Sequence, residues 1–407
     1  MDFEDTPAQA EFRTEVRAWL TENVEPRPPG AALTDAQRLE RAKRFLAKKG
    51  AAGYSGITLP KEYGGLGGTE IQHVIFQQEQ LKFDVETMHG GSDFFAVGLE
   101  LCCTTILKCG TEEQRRRFLP RLLRGEEIWC QLFSEPSGGS DLAAVRTRAV
   151  REGDAWRITG QKVWTSGGHY ADLGICLART DPNVPKHRGL TMFAVDMEDP
   201  GVRVQPIRQM SGDADFNEVF LDNVLVSDDF RLGAVNDGWK VALTTLGQER
   251  STAASLNFIA PEQLLDLARA AEIGGRPAIE DARVREKIAE CWINTFGARL
   301  MSYRSQTELA QGAVPGPEES WAKLVLTAQG QRSATVAMDI LGVAGSLTAE
   351  ERGDQRGEIE GAWYWAPCFR IAGGADEILR NILAERVLGL PGDIRVDRDI
   401  PFNQIKA

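Results

Sequence analysis

Residues 130–168, CQLFSEPSGGSDLAAVRTRAVREGDAWRITGQKVWTSGG, hold the residue types and spacings best suited to chemistry. The loop SEPSGGSD, Ser134 to Asp141, combines a proline-fixed turn, adjacent Gly138 and Gly139, and three serine hydroxyls. Such backbone approaches a ligand closely and presents N–H and O–H donors to a phosphate or a flat heterocycle. In KVWTSGG, Lys162 to Gly168, strand alternation puts Trp164 and Ser166 on one face and Val163 and Thr165 on the other. An aromatic wall beside a hydroxyl donor suits a planar, partly polar ring system. Composition alone also fits a Gly/Ser turn followed by an edge hairpin.

The elements that must position these pieces differ in texture along the chain. Up to about residue 125 the sequence reads as helices. Phe12, Val16, Leu20 and Val24 recur every four residues, close to one helical face. Further helices are predicted over 35–50, 69–82, 94–109 and 112–124, the last with Thr111 as N-cap and Glu113 and Gln114 in its first turn. The glycines and proline of LPKEYGGLGGTE mark a connecting loop. From about 126 to 232 short β-rich runs follow one another: AWRITG, KVWTSG, LGICLA, LTMFAVD, VRVQPI and EVFLDNVLV, as in a small sandwich or barrel. Helical patterns return over 236–257, 261–272, 280–311, 318–341 and 375–389, with GGRP and VPGPEE as breaks.

At 407 residues the chain is long enough for two or three domains. Hydrophobic content of 42% and charged content of 26% are those of an ordinary globular protein. A net charge of −12 argues against a nucleic-acid partner, because no basic stripe is available to neutralise phosphates. No apolar run approaches the roughly 20 residues that span a bilayer. The amino terminus, MDFEDTPAQAEF, lacks a signal-peptide pattern. Seven cysteines without metal or redox spacing suit reduced thiols in a cytoplasm, and the four histidines are dispersed and predict no metal site.

The SEPSGGSD loop, the KVWTSGG strand, their separation and the ending EILRNILAERVLGLPGD resemble the acyl-CoA dehydrogenase family, with all signatures in family order from the amino terminus to about Pro391. The resemblance implies an α+β fold: an N-terminal helical domain (1–125), a central β-barrel or sandwich domain (126–235) and a C-terminal helical bundle (236–407). It implies FAD-dependent α,β-desaturation of an acyl-CoA thioester, in which a carboxylate removes the α proton and the β hydrogen leaves as hydride to the flavin. By position, Ser134 and the backbone after Phe133 face the flavin pyrimidine edge. Trp164 packs on the ring beside Thr165, Ser166 donates towards it, and Gly139 and Ser140 lie near the pyrophosphate or pantetheine.

The family's usual base lies just before the final helix, in a pattern like Tyr-Glu-Gly-Thr-x-Glu-Ile. The matching stretch here is Ala372-Gly373-Gly374-Ala375-Asp376-Glu377-Ile378, with Gly373 at the base position. Asp376 and Glu377 suit the first turn of a helix, where negative charge meets the positive end of the dipole. The family's second base position is the helix opening the carboxy-terminal domain, where LGQERSTAAS supplies Glu249 and Arg250. Glu249 is therefore the expected base, its pKa raised by burial beside the acyl chain. Members with this base act on branched or bulky acyl groups, including steroid side chains. Gly373 and Gly374 would leave room for such a substrate, and Met88 in MHGGSDFF would line its pocket.

Two elements depart from the family. The arginine of Arg-x-x-Phe-Gly, which a neighbouring subunit points at the flavin pyrophosphate, is Ala271 here, with Arg269 and Arg276 nearby. The adenine-side pattern Gln-x-x-Gly-Gly-x-Gly reads Asp339-Ile340-Leu341-Gly342-Val343-Ala344-Gly345, keeping Gly342 and Gly345. The implied partners are an electron-transfer flavoprotein and either three further copies of this chain or a homologous subunit in an α2β2 heterotetramer. A flavin oxidase or monooxygenase of the same fold, a desaturase of carrier-bound acyl groups and a non-catalytic subunit are the alternatives.

Overall fold

Four helices near the amino terminus open from one tetrapeptide pattern, Thr-x-x-Gln. At Thr6, Thr34, Thr69 and Thr111 the hydroxyl accepts the N–H of the glutamine three residues on, whose side chain accepts the threonine N–H in return. Each reciprocal pair satisfies two helix-end donors. The helices are α1 (Pro7–Asn23), α2 (Asp35–Ala51), α3 (Glu70–Gln80) and, after a π-type turn at Val97–Cys102 that leads into α4 (Cys103–Cys109), α5 (Glu112–Leu123). The uninterrupted helix expected over 94–109 is thus two differently wound pieces. The computed structural model describes residues 5–26, 33–86, 94–252, 259–310, 316–347 and 357–405. Met88 lies outside them.

Helix α1 buries Phe12, Val16 and Leu20, as the four-residue recurrence requires. They pack with Tyr54, Ile57, Ile75 and Phe76. The Glu79 carboxylate is fully buried there and receives Arg13 at 3.1 Å, Arg17 at 2.9 Å and Lys82 at 2.7 Å. Helix α5 is tied to the following sheet by Gln114, whose Nε2 donates to the carbonyls of Asp229 and Arg231 at 2.7 and 2.9 Å.

The β segment folds as one eight-stranded sheet. Its strands are β1 (Trp129–Leu132), β2 (Arg148–Glu152), β3 (Ala155–Ser166), β4 (Leu173–Arg179), β5 (Leu190–Asp196), β6 (Val202–Ile207), β7 (Phe216–Ser227) and β8 (Arg231–Leu232). Their order is β6-β7-β3-β2-β4-β5-β8, with β1 added parallel to β4. The two runs AWRITG and KVWTSG are one strand, β3, that bends at two bulges against β7 instead of breaking. Strands β1 and β2 had no separate signal: β1 is a four-residue stretch, and β2 (RAVRE) buries only Ala149. A β4 buried at every position and an almost wholly buried β5 form the centre of the core.

Helix α6 (Gly238–Thr252) follows the sheet. The chain forms two compact units: Glu4–Met88 with Ser92–Glu249 and Asp393–Ala407, and Arg250–Gly392. The second contains α7 (Pro261–Ala270), a hairpin of β9 (Glu272–Ile273) and β10 (Arg276–Pro277) where the sequence suggests only a break, α8 (Ala282–Ala310), α9 (Ser320–Leu341), α10 (Gly357–Phe369) and α11 (Asp376–Ile382). Leu264, Leu267, Ile288, Cys291, Val336 and Ile340 are part of its core. Helix α10 escapes sequence reading because GEIEGAWYWAPCF combines glycines, Pro367 and clustered aromatics without a polar face. The helix expected over 375–389 turns π-type at Leu383–Val387.

Candidate active site

The SEPSGGSD loop is held from beneath by a buried ion pair. Glu135 exchanges backbone hydrogen bonds with Gly138 at 3.0 and 2.9 Å, closing a tight turn over Pro136 and Ser137. Its carboxylate points inward, accepting the N–H groups of Arg146 at 2.6 Å and Thr147 at 2.9 Å, and Lys162 Nζ at 2.8 Å. Burial alone would push this carboxyl up, but the Lys162 cation and the converging donors outweigh it and hold the Glu135 pKa below its ordinary value. Lys162, with 0% of its surface exposed, also donates to the carbonyls of Phe133 at 3.1 Å and Leu177 at 2.7 Å. The Phe133 ring belongs to the core with Leu142 and Val145, so only its backbone could serve a ligand. Ser134 is half-buried, and its carbonyl accepts the Val163 N–H at 2.9 Å.

That bond joins the loop to the bulge in β3. The register of β3 on β7 slips between Lys162 and Thr165, and within the slip Trp164 takes φ +61°. A bulky residue in the left-handed region is a strained outlier of the kind found at functional sites. Trp164 is nevertheless 60% exposed, touching Phe216 edge-on at 6.2 Å between ring centroids. Val163 and Thr165 are buried and Ser166 half-buried, so the two faces fall as alternation predicts. Thr165 is steadied by Asn217, which donates to its carbonyl at 3.0 Å, while the Thr165 hydroxyl has no hydrogen-bond partner among the described residues.

Gly139 and Ser140 are exposed. A Cβ built on Gly139 would meet nothing within 4 Å, so no protein contact demands a glycine there. The far end of the loop is clamped by Lys186, which bridges Asp141 at 2.7 Å and Asp397 of the carboxy-terminal tail at 2.6 Å. Burial opposes the Lys186 charge, but the two carboxylates outweigh it and raise the pKa. The same tail lays the Phe402 ring 3.6 Å from the Arg179 guanidinium, whose pKa burial lowers to about 10. No motif pointed to this tail.

Gln131 was also missed. It lies on β1, two residues before Phe133, half-buried, and its amide nitrogen has no partner among the described residues. Unsatisfied donors at Gln131 and a free hydroxyl at Thr165, an outward Trp164 and an open Gly139 fit a planar, polar ring carrying phosphates. The first unit's residues therefore suit a flavin.

Glu249 and Arg250 lie on α6, where the chain passes from one unit to the other; their side chains fall outside the described residues. The start of α6 is anchored in the first unit by buried Val241 and Ala242 and by Thr245, whose hydroxyl meets that of Thr105 at 2.8 Å. Helical spacing puts position 249 on the face of Ala242 and Thr245.

In the second unit Gly373 and Gly374 take φ +66° and +93°. These are conformations that favour glycine for backbone reasons, whatever space a substrate needs. Lys323 Nζ donates to the Gly374 carbonyl at 2.6 Å and lies 3.9 Å from the buried Asp376, which Arg370 Nε also binds at 2.7 Å. Glu377 is exposed in the first turn of α11, beside Asp376. Gly342 has φ +56° and is exposed, and Gly345 is buried, in the turn Gly342–Ser346 after α9. Asp339 is paired with Lys287 at 2.7 Å. Arg269, of the two arginines near Ala271, pairs with Asp266 at 3.2 Å, while Arg276 is exposed on the hairpin.

Three family models match the chain: the N-terminal domain of acyl-CoA dehydrogenase over residues 6–126, the middle domain over 130–224 and the C-terminal domain over 236–388. Acyl-CoA dehydrogenase FadE34 of Mycobacterium tuberculosis is 37% identical over 94% of this chain, which spans about half (51%) of that relative's length. Acyl-CoA dehydrogenase IpdE1 of the same organism is 36% identical over 95% of this chain and 98% of its own. A solved structure titled Tcur3481-Tcur3483 steroid ACAD superposes with a TM-score of 0.79 at 28% identity, covering 97% of this chain and 100% of its own. With these matches and an α+β architecture of helices, sheet and helices, the chain belongs to the acyl-CoA dehydrogenase family.

Proposed function

We propose that the chain binds FAD and desaturates a bulky acyl-CoA at Cα–Cβ, with Glu249 as the base. The observation that carries the reading is the exposed, backbone-strained Trp164 standing beside a loop fixed by its own buried ion pair. The flavin, when bound, supplies the hydride acceptor. Ser134, the backbone after Phe133, Gln131 and Ser166 hold the polar edge of the ring, and Trp164 and Thr165 flank it. Gly139 and Ser140 serve the pyrophosphate or pantetheine, and Gly342 and Gly345 the adenine side. Glu249 takes the α proton onto its carboxylate, with Arg250 beside it, and donors at the thioester oxygen stabilise the developing enolate. An electron-transfer flavoprotein is the proposed acceptor and the cytoplasm the proposed site. No described helix is long and apolar enough to cross a membrane.

A steroid side-chain thioester is the favoured substrate, since one similar structure is titled a steroid ACAD and Gly373 and Gly374 carry no side chains where a Glu is usual. Ala271 at the arginine position favours a second subunit: that title joins two proteins, and a homologous partner in an α2β2 assembly would restore the missing cation. The test is the purified chain's flavin content per protomer, its mass in solution, and turnover on straight-chain, branched and steroid side-chain CoA thioesters. One FAD per chain with turnover on bulky thioesters is expected, in the presence of the partner if not alone. Flavin without thioester oxidation, or rapid reoxidation by O2, would overturn it.

A further inference from the structure

We infer that Lys162 is a positioning residue for the ring-facing backbone: its buried ammonium fixes the Phe133 carbonyl and thereby aims and polarises the Ser134 N–H. The inference rests on the flavin reading given above.

An ammonium has three donors. Those of Lys162 go to the Phe133 carbonyl, the Glu135 carboxylate and the Leu177 carbonyl, at 3.1, 2.8 and 2.7 Å. Strand β1 ends at Leu132, so the ladder does not hold the next peptide. Lys162 does. In a planar trans peptide the N–H points opposite to the C=O. The Phe133 carbonyl faces the buried ammonium, which turns the Ser134 N–H the other way, away from Lys162, on a residue that is itself half-exposed. The peptide after Ser134 is also held, through its carbonyl and the Val163 N–H at 2.9 Å. One residue thus sits between two fixed peptides, and the bulge carrying Trp164 begins at the residue that fixes the second.

A cation on a carbonyl oxygen draws charge through the amide and strengthens the N–H at its other end. A donor strengthened in this way favours a ring that gains negative charge on reduction. Glu135 damps the effect, since its carboxylate lies against the same ammonium. The alternative is a buried pair serving the fold alone. Buried pairs are weak evidence of stabilisation, and two of the three Lys162 donors go to carbonyls rather than to charge.

The experiment measures flavin affinity and the reduction potential of the bound flavin in the holoenzyme, together with thermal unfolding. Lys162→Met/Glu135→Gln removes both charges, so long-range field effects cancel while the Phe133 and Leu177 carbonyls lose their cation, and thermal unfolding reads any structural cost. Flavin affinity is expected to fall by on the order of tenfold, the size of one charge-assisted hydrogen bond. The potential is expected to fall with it, while Lys162→Arg keeps both near wild type. A folded double variant with wild-type affinity and potential overturns the inference. Should that variant not fold, Glu135→Gln is compared with Asp141→Asn, which neutralises a carboxylate of the same loop without touching Lys162. The potential must rise more in Glu135→Gln, and an equal rise reduces the effect to field alone and overturns the inference. An unchanged or lower potential overturns the inference. A wild-type protein that binds no flavin defeats the functional reading itself, and is distinguishable because it precedes any variant.

Discussion

Each unit of the molecule sets a buried lysine under a loop, and the two are built differently. Under the SEPSGGSD loop, Lys162 is the cation on Glu135 and also holds two carbonyls. Under the Gly373–Gly374 turn, Lys323 holds the Gly374 carbonyl, and Asp376 has both Lys323 and Arg370 beside it. The first loop stands beside the strained Trp164 of β3. In the second, Gly373, which the proposed function leaves without a base, takes a left-handed conformation. The same kind of support, a buried lysine on a backbone carbonyl, thus underlies two loops whose surroundings differ.

The largest effect should come from the base. Glu249→Gln is expected to lower kcat by about 10²–10⁴-fold with flavin still bound, the range for general base catalysis. Adding Gly373→Glu to that variant should not restore turnover, because φ +66° strains any L-residue. Rescue would show that the second loop can carry a base, and would erase the contrast.

Next come the lysines. Lys162→Met strands a buried carboxylate and should cost about 3–5 kcal/mol in urea unfolding. Lys323→Met should cost clearly less, since Arg370 remains on Asp376. Equal losses would mean that the two supports are equivalent. Acid should also discriminate between the units. Burial works against the Glu79 charge, but Arg17, Lys82 and Arg13 hold its pKa at about 2 against an ordinary 4.5, and Glu135 is likewise depressed. A carboxyl depressed on folding stabilises above its unfolded pKa, and the contribution is lost as pH falls through the folded one. Between about pH 4.5 and 2 the first unit, which holds Glu79 and Glu135, should therefore lose hydrogen-exchange protection ahead of the second. Simultaneous loss would contradict this.

The smallest effect on stability is expected at Trp164. Trp164→Gly relieves backbone strain of about 1–3 kcal/mol and gives up little burial, so unfolding should change slightly or shift towards stability. Flavin affinity should fall. A variant that loses stability and keeps its flavin would make Trp164 a packing residue.

Much of this was legible from local chemistry. The Thr-x-x-Gln caps, the recurrence of Phe12, Val16 and Leu20, the alternation around Trp164 and the loop glycines are properties of residues a few positions apart, and short-range geometry fixes them. Strands β1 and β2 were not legible: one is four residues long and the other is charged at most positions, so each exists through its partners β4 and β3. Helix α10 was hidden by its glycines, proline and aromatics, and its core contacts decide it. Lys162 and Glu135 stand 27 residues apart and read singly as surface charges. Gln131 and the tail at Asp397 and Phe402 carry no motif. Sequence by itself determined the family and the order of helices, sheet and helices, because these are written in residue identity. Only the tertiary structure decided which charges are buried, which donors are left unpaired and where the backbone is strained, because those depend on what distant segments bring against them.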